Sequence, residues 1–196
     1  MLGKNRAIVR PRELFMARNR GCGEETVEIS VRLAEPTTSD IEDTATLLHA
    51  VDTFYHGDET PGLAAHLRFV EDEVLGPGSS TLVALARFGK RIAGGAFFAI
   101  IYPADPLKGG IFLKDLFVFQ ETREKKVGEA LMRFLARFAV ENDLCRIDWG
   151  AGKDLDRVRA FYDSLGAHVL DDRVLYRLEG NAMASLAGAD PDKADG

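Results

Sequence analysis

A short polar turn between an apolar strand and an amphipathic helix holds the residues best suited to chemistry in this chain. Arg123, Lys125 and Lys126 supply fixed cations, and Gly128 stands where the helix begins. The first N–H groups of a helix have no intrahelical acceptor and carry partial positive charge, so they attract anions. The turn therefore predicts a cradle for a pyrophosphate. The alternative interpretation is a solvated basic turn that only caps a helix.

The elements around this turn predict an α+β fold. Apolar runs indicate strands over residues 29–34, 81–88, 92–102, 111–119, 145–149, 167–170 and 173–178. Apolar stripes with helical spacing indicate helices over residues 41–55, 61–75, 127–138 and 155–165. This order predicts a mixed, mainly antiparallel twisted sheet of about seven strands with helices on both faces.

The length and charge of the chain limit its possible domain organisation and its possible binding partners. The 196 residues suit one domain with tails. We expect residues 1–27 to be a basic extension without its own fold, 28–180 to be the folded domain, and 181–196 to be a disordered tail. The net charge is −6, but six basic residues and one acidic residue lie within residues 1–20, which leaves about −11 on the rest. An acidic domain binds nucleic acid poorly and attracts cationic small molecules.

The spacing of cysteine, histidine and apolar residues argues against a disulfide-bonded, a metal-binding or a membrane protein. Cys22 and Cys145 lie far apart, which predicts reduced thiols in a cytoplasmic protein, with Cys145 as a core thiol at the start of a strand. The histidines show no metal-ligand spacing, so we predict no metal. The apolar run 92–102 is about half the ~20 residues that span a bilayer, so we predict no membrane association.

Two motifs and the order of elements together resemble the GNAT superfamily of acyl-CoA-dependent N-acyltransferases. The first motif is the turn, where the family signature Q/R-x-x-G-x-G/A is matched as Arg123-Glu-Lys-Lys126-Val-Gly128, with Lys126 in place of the first glycine. The second is the segment Phe161-Tyr162-Asp-Ser-Leu-Gly166-Ala167. The resemblance covers residues 28–180 and implies a GNAT-like fold.

Within that superfamily the chain is most similar to the spermidine/spermine (diamine) N-acetyltransferase branch. Leu113-Lys-Asp-Leu-Phe-Val118 resembles that branch's strand Leu-Glu-Asp-Phe-Phe-Val. Lys114 stands where the branch has an acidic residue that binds the amine and helps to deprotonate it. Leu155 stands where asparagine is frequent in the superfamily.

The resemblance implies acetyl-CoA as cosubstrate. Its pyrophosphate would lie on the amides of the turn and the helix start, and its pantetheine arm would pair with the strand backbone. A bulge near this strand would splay it from the strand that holds Asp148 and Trp149, which makes room for the thioester. The implied cofactor-binding residues are Leu116, Phe117, Val118, Arg123, Glu124, Lys125, Lys126, Val127, Gly128 and Glu129.

Two residues are the candidates for catalysis. A CoA thiolate leaves when an amine attacks the thioester, and the phenol of Tyr162, with a reference pKa of about 10, can protonate it. The resemblance supports that role, while a tyrosine on a buried helical stripe is the alternative. Asp115 is the candidate for taking the amine's proton, directly or through water. A carboxylate paired with Lys114 or a neighbouring arginine is the competing interpretation.

The acceptor is expected beside an acidic loop. The loop that runs from Tyr55 and His56 to Asp58 and Glu59 lies where family members cover the acceptor pocket. It is a candidate ammonium site or base relay, and a plain solvated loop is the alternative. Lys114 is a further substrate-binding candidate, because it could select an acceptor that bears a carboxylate.

The sequence thus predicts a cytoplasmic N-acetyltransferase that moves an acetyl group from acetyl-CoA to a primary amine of a small, polyamine-like or amino-acid-like molecule. Direct attack in a ternary complex is the expected mechanism. The alternatives are a non-catalytic acyl-CoA sensor of the same fold and a protein N-acetyltransferase. The resemblance also implies a homodimer.

Overall fold

A computed structural model describes residues 28–152 and 156–188, together with the backbone of residues 15–17. Predictions for the rest of the basic extension, for Cys22, for Leu155 and for residues 189–196 lie outside the described residues. The chain divides into two compact units, residues 1–150 and residues 151–196. Each unit is described by itself.

Six strands form a mixed sheet within the described residues of the first unit. Its strands lie in chain order, and every neighbouring pair is antiparallel except β5 and β6, which are parallel. Five of the strands were predicted, and β1, which pairs with β2, was not. The strands are β1 Phe15–Ala17, β2 Ile29–Leu33, β3 Leu82–Phe88, β4 Arg91–Asp105, β5 Lys108–Val118 and β6 Ile147–Trp149.

Three α-helices connect these strands. Thr37 caps the first helix, since its hydroxyl oxygen accepts from the Asp40 N–H at 3.3 Å. The second helix continues into a π-helical turn, Val70–Val74, and short 3-10 turns occupy Gly57–Glu59 and Gln120–Thr122. The helices are α1 Thr38–His56, α2 Leu63–Phe69 and α3 Val127–Glu141.

The helices cover both faces of the sheet. Successive side chains of a strand point to opposite faces, and Phe97 and Phe98 of β4 do so here. Phe98 packs edge-to-face on Phe138 of α3, with ring centroids 5.5 Å apart. Phe97 belongs to the other core layer, here called the α1-side cluster. Its buried members are Ala34, Ala45, Leu47, Val51, Val70, Val74, Val83, Leu85 and Phe97. The α+β class with a mixed, mostly antiparallel sheet is therefore confirmed.

The described residues of the second unit form two helices. Its helices are α4 Asp156–Ser164 and α5 Gly180–Leu186. The strands predicted at 167–170 and 173–178 are wrong, because residues 167–179 have no regular secondary structure. Two short strands without a third partner are only marginally stable, so apolar runs of this length do not suffice. The sequence did not predict α5, which begins where the tail was expected to be disordered.

Candidate active site at the open edge of β5

The central feature of the first unit is an edge of β5 that opens part of the way along the strand. β5 pairs with β6 only through residues 111–113, and the last pair is Leu113 with Trp149. β5 then continues to Val118, still paired with β4 on its other side. From Lys114 onward, the side of β5 that faced β6 therefore has no pairing with that strand.

A bulge lies at the point where the two strands part. Phe98 of β4 faces Leu113 and Phe97 faces Asp115, so Lys114 has no partner across the β4–β5 ladder. An extra residue of this kind changes which residues turn toward the neighbouring strand and which face each side chain occupies. Asp115, opposite Phe97, therefore lies on the face of the α1-side cluster.

The bulge also sets which backbone groups face the open edge. Phe119 donates its N–H to the Ala93 carbonyl of β4 at 3.0 Å. Because alternate residues of a strand bond to the same neighbour, Phe117 also turns its N–H and C=O toward β4. Leu116 and Val118 direct theirs toward the open edge. The Arg123 Nε lies 3.5 Å from the Val118 carbonyl, at the outer limit of a hydrogen bond.

Gly94 allows β4 and β5 to approach closely beside this edge. Gly94 lies opposite Val118. A Cβ added to Gly94 would stand 2.4 Å from the Phe117 carbonyl oxygen, a backbone atom that cannot rotate away. A side chain here would displace the strand that carries the open edge.

The turn after β5 is held to the sheet and opens directly into α3. Thr122 donates its hydroxyl to the Ala93 carbonyl at 2.8 Å, which fixes the 3-10 turn on β4. Glu124 and Lys126 adopt left-handed backbone conformations, with φ of 69° and 61°. Lys126 stands where the family signature has its first glycine, the residue that adopts this conformation without strain.

The start of α3 presents unbonded donors. The first bond of the helix runs from the Ala130 N–H to the Lys126 carbonyl at 2.9 Å. The amides of Val127, Gly128 and Glu129 therefore have no acceptor within the helix. Glu129 can serve an anion only through its amide, since its carboxylate is itself an anion; that carboxylate lies 2.8 Å from Arg133 Nη2. The side chains of residues 123–126 are exposed around these donors.

The structure pairs the two charged residues at the bulge. Lys114 Nζ lies 3.3 Å from Asp115 Oδ2, and the two side chains are 70% and 18% exposed. This is the ion pair that the competing interpretation of Asp115 expected. Asp115 therefore reaches an incoming amine only if the amine displaces Lys114 or shares the carboxylate with it.

The predicted acceptor loop lies at the end of α1. Tyr55 and His56 form the last turn of that helix, and Asp58 and Glu59 follow in the 3-10 turn. All four side chains are exposed. The Tyr55 ring lies 5.2 Å from Phe54 and 6.5 Å from His56, measured between centroids. The loop thus joins exposed aromatic rings to carboxylates, a surface that suits an organic cation.

Sequence reasoning missed a buried histidine near this loop. His66 of α2 is 4% exposed, and its Nε2 lies 2.9 Å from Asp52 Oδ2 of α1. Its Nδ1 lies 3.2 Å from the Gly62 carbonyl, so both ring nitrogens face acceptors and the charged imidazolium can donate to both. The available signal was its spacing, three residues after Leu63 and four before Val70 on the predicted apolar stripe.

The prediction of a core thiol in the strand after α3 is wrong. Cys145 is exposed rather than buried, because β6 begins only at Ile147.

The described helices all fall short of the length and apolar character that a bilayer crossing requires. In the same described ranges, no three His, Cys, Asp or Glu side chains are grouped as a metal site would need.

Tyr162 lies on α4 in the second unit. Its carbonyl accepts from the Leu165 and Ala167 amides at 3.0 and 3.2 Å, and Gly166 turns the chain with φ of 84°. This is a glycine-terminated helix end, as the sequence indicated. The Phe161 and Tyr162 rings lie 5.1 Å apart between centroids. The catalytic role of the phenol stays a prediction.

Two similarities to known protein sequences bear on this arrangement. The model of the Acetyltransferase (GNAT) family matches residues 44–167, more than half of the chain. An L-ornithine N5-acetyltransferase of Arabidopsis thaliana is 30% identical over 95 residues, which are 48% of this chain and 42% of that protein. The match thus spans less than half the length of that curated relative.

Solved structures share the fold. An integron cassette protein from the mobile metagenome of V. cholerae is 27% identical with a TM-score of 0.76, over 82% of this chain and 98% of that one. An aminoglycoside N-acetyltransferase in complex with CoA is 16% identical with a TM-score of 0.61, over 78% of this chain and 96% of that one. At that identity the second likeness concerns the fold alone.

Proposed function

Because the chain belongs to the GNAT acetyltransferase family, we propose that it transfers an acetyl group from acetyl-CoA to a primary amine of a small molecule. The observation that carries this proposal is the open edge of β5, which runs directly into the donor-rich start of α3. Backbone groups of Leu116 and Val118 suit the amides of a pantetheine arm, as an added strand would pair. The amides of residues 127–129 suit a diphosphate.

The charges around the turn support the same ligand. The side chains of Arg123, Lys125 and Lys126 are exposed on the turn that directly precedes the α3 amides, and charge-assisted hydrogen bonds to phosphate are stronger than neutral ones. The left-handed residues Glu124 and Lys126 curve the backbone of the turn. The Arg123 and Lys125 amides already donate to the Gln120 and Thr122 carbonyls, both at 3.2 Å, so these two residues would serve an anion through their cationic side chains. Of the remaining implied cofactor residues, residues 127–129 would contribute through their backbone, whereas Phe117 directs its N–H and C=O toward β4 and so cannot pair with the pantetheine arm.

Direct attack needs an amine without its extra proton and a thiolate that is protonated as it leaves. Asp115 is the proposed acceptor of the amine's proton, directly or through a water molecule. Its distance of 3.3 Å from Lys114 Nζ means that the two cations compete for one carboxylate. Tyr162 is the proposed donor to the thiolate, supported by the resemblance of its segment to the family.

The acceptor is proposed to be a small amine that enters beside the acidic loop of Tyr55, His56, Asp58 and Glu59. The negative charge of the chain outside its first 20 residues favours such a cation. The similar Arabidopsis protein carries the name of an ornithine acetyltransferase, which supports a small amine of amino-acid type. The homodimer and the cytoplasmic location stay predictions.

Thiol release from acetyl-CoA, measured with polyamines, amino acids and aminoglycosides as acceptors, tests the proposal. We expect release with at least one small primary amine, and calorimetric binding of CoA without any acceptor. The Lys125→Ala variant should weaken CoA binding, whereas Lys108→Ala, a lysine truncation at the other end of β5, should not.

The same assay decides a second candidate function. Lys114 stands where the diamine branch has an acidic residue, and its ammonium pairs with Asp115, the proposed base. This pairing favours an acyl-CoA sensor that does not catalyse transfer. CoA binding without thiol release across the panel would support the sensor. No binding of CoA at millimolar concentration would contradict both functions.

A further inference from the structure

We infer that Lys114 selects acceptors that carry a carboxylate beside their amine, so that the acceptor is an amino acid rather than a polyamine. This inference rests on the proposed function and names the substrate class of the same site. It is carried by the position of Lys114, by its exposure and by the charge of the residue with which it pairs, Asp115.

The position places the lysine where β5 and β6 part. Lys114 is the unpaired residue of the bulge and directly follows Leu113, which makes the last pair with β6. A bulge next to an active site commonly aims a side chain differently from its strand neighbours. The side chain is 70% exposed, so its ammonium group is free to move toward a ligand at the open edge.

The local charge favours a zwitterion over a dication. Lys114 and Asp115 lie 3.3 Å apart and together carry no net charge. An amino acid brings a carboxylate as well as ammonium, so an ammonium group can replace Lys114 at Asp115 while the carboxylate receives Lys114. Both charged side chains then keep an opposite charge as partner, which avoids the cost of an unpaired charge.

A polyamine meets the opposite situation at the same place. It offers only ammonium groups, so its approach to Asp115 displaces Lys114 without giving that lysine a new partner. Like charges brought together in this way discriminate against a ligand. An acidic residue at position 114, as in the diamine branch, would remove this repulsion and add a second carboxylate for the cation.

Two matched pairs of acceptors isolate the carboxylate. L-Ornithine is putrescine with an added carboxylate, and L-lysine is cadaverine with the same addition. For the wild-type enzyme we expect kcat/KM to be about tenfold higher for the amino acid of each pair, as one exposed charge-assisted contact allows. The preference should appear mainly in KM, because the contact exists before and during the reaction.

Three variants and one control assign the preference to this side chain. The ratio of kcat/KM for each amino acid to kcat/KM for its diamine should fall about tenfold in Lys114→Ala. Lys114→Glu should reverse this ratio in favour of the diamines, and Lys114→Arg should retain it. Lys108→Ala is the control, because Lys108 is also an exposed lysine of β5 with a carboxylate partner, Asp143 at 2.8 Å. Its ratio should equal that of the wild type. Thermal denaturation checks that each variant is folded.

Calorimetry with the same four amines in the presence of CoA measures the preference without turnover. Tighter binding of the amino acids that is lost in Lys114→Glu supports the inference even where no acetyl transfer occurs, and in that case only the proposed catalysis fails. Turnover with the same ratio in wild type and Lys114→Glu overturns the inference and leaves the proposed function intact. Binding of none of the four amines overturns the inference as well.

Discussion

Arg32 of β2 and Asp40 of α1 are joined by two parallel hydrogen bonds, Nη1 to Oδ2 at 2.6 Å and Nη2 to Oδ1 at 2.5 Å. The Asp40 side chain is 1% exposed and also accepts the Glu35 N–H at 2.8 Å. Burial alone would raise the pKa of Asp40, but the hydrogen bonds from Arg32 and Glu35 outweigh burial and hold that pKa below its ordinary value. This ion pair fixes the start of α1, the helix that ends in the loop proposed to bind the acceptor.

We expect Asp40→Ala to lower the free energy of unfolding by about 2–4 kcal/mol. The substitution removes the carboxylate that accepts from Arg32 and from the Glu35 amide, although Arg32 still donates to the Leu33 carbonyl at 2.9 Å. Removing one partner of a buried pair costs about this much when the other is partly exposed. Urea denaturation measures the change. Glu42→Ala is the control, because Glu42 is an exposed residue of the same helix. Equal stability of the two variants would contradict the structural role of the pair.

The lowered pKa of Asp40 predicts acid sensitivity with a definite sign. A carboxylate with a depressed folded-state pKa stabilises the protein above its unfolded pKa of about 3.9, and this contribution is lost as the pH falls through the folded pKa. The wild-type free energy of unfolding should therefore fall below about pH 4. In Asp40→Asn the fall should be shallower.

The neighbouring Asp43 provides a control with the opposite sign. Burial raises the pKa of Asp43, and the nearby Arg87 only partly offsets it. Asp43 therefore favours the folded state at low pH and loses that contribution as the pH rises through its folded pKa. We expect Asp43→Asn to steepen the acid loss that Asp40→Asn makes shallower. Urea denaturation from pH 3 to 6 measures both slopes. The same change of slope in Asp40→Asn and Asp43→Asn would contradict this prediction.

Substitutions of Lys126 should separate backbone strain from charge. Both Lys126→Ala and Lys126→Gly remove the cation, so each should weaken CoA binding by up to about fivefold. Only glycine adopts a φ of 61° without strain, so Lys126→Gly should be about 1 kcal/mol more stable than Lys126→Ala. Calorimetry with CoA and urea denaturation measure the two effects. A CoA affinity equal to that of the wild type in both variants would remove Lys126 from the proposed cradle.

Tyr162→Phe should lower turnover by about 100-fold while CoA binding stays unchanged, because the variant lacks only the proton donor. Steady-state kinetics with the best acceptor and calorimetry with CoA measure the two quantities. Tyr176→Phe is the matched control, since it removes a phenol hydroxyl from an exposed tyrosine in the same unit. Unchanged turnover in Tyr162→Phe would end the role proposed for this residue.

Local patterns allowed much of the fold to be predicted. Period-two runs and helical stripes predicted five of the strands and the helices α1 to α4, because burial of one face leaves its period in the sequence. These patterns failed where the formation of a strand depends on pairing with residues far away in the sequence. The apolar run 173–178 has no strand in the described unit, and Phe15–Ala17 becomes a strand only by pairing with β2. Cys145 also showed that a strand's first residues cannot be placed from an apolar run alone.

The sequence by itself determined the family resemblance and the polar turn before α3, since these depend on residues that are neighbours along the chain. Only the tertiary structure decided that β5 separates from β6 after Leu113, that Lys114 is the residue left over at the bulge, and that its ammonium lies beside Asp115. It also decided that His66 is buried against Asp52. The reason is that strand register, bulges and burial depend on contacts between segments far apart in the sequence. Such contacts produce no pattern among residues that are neighbours along the chain.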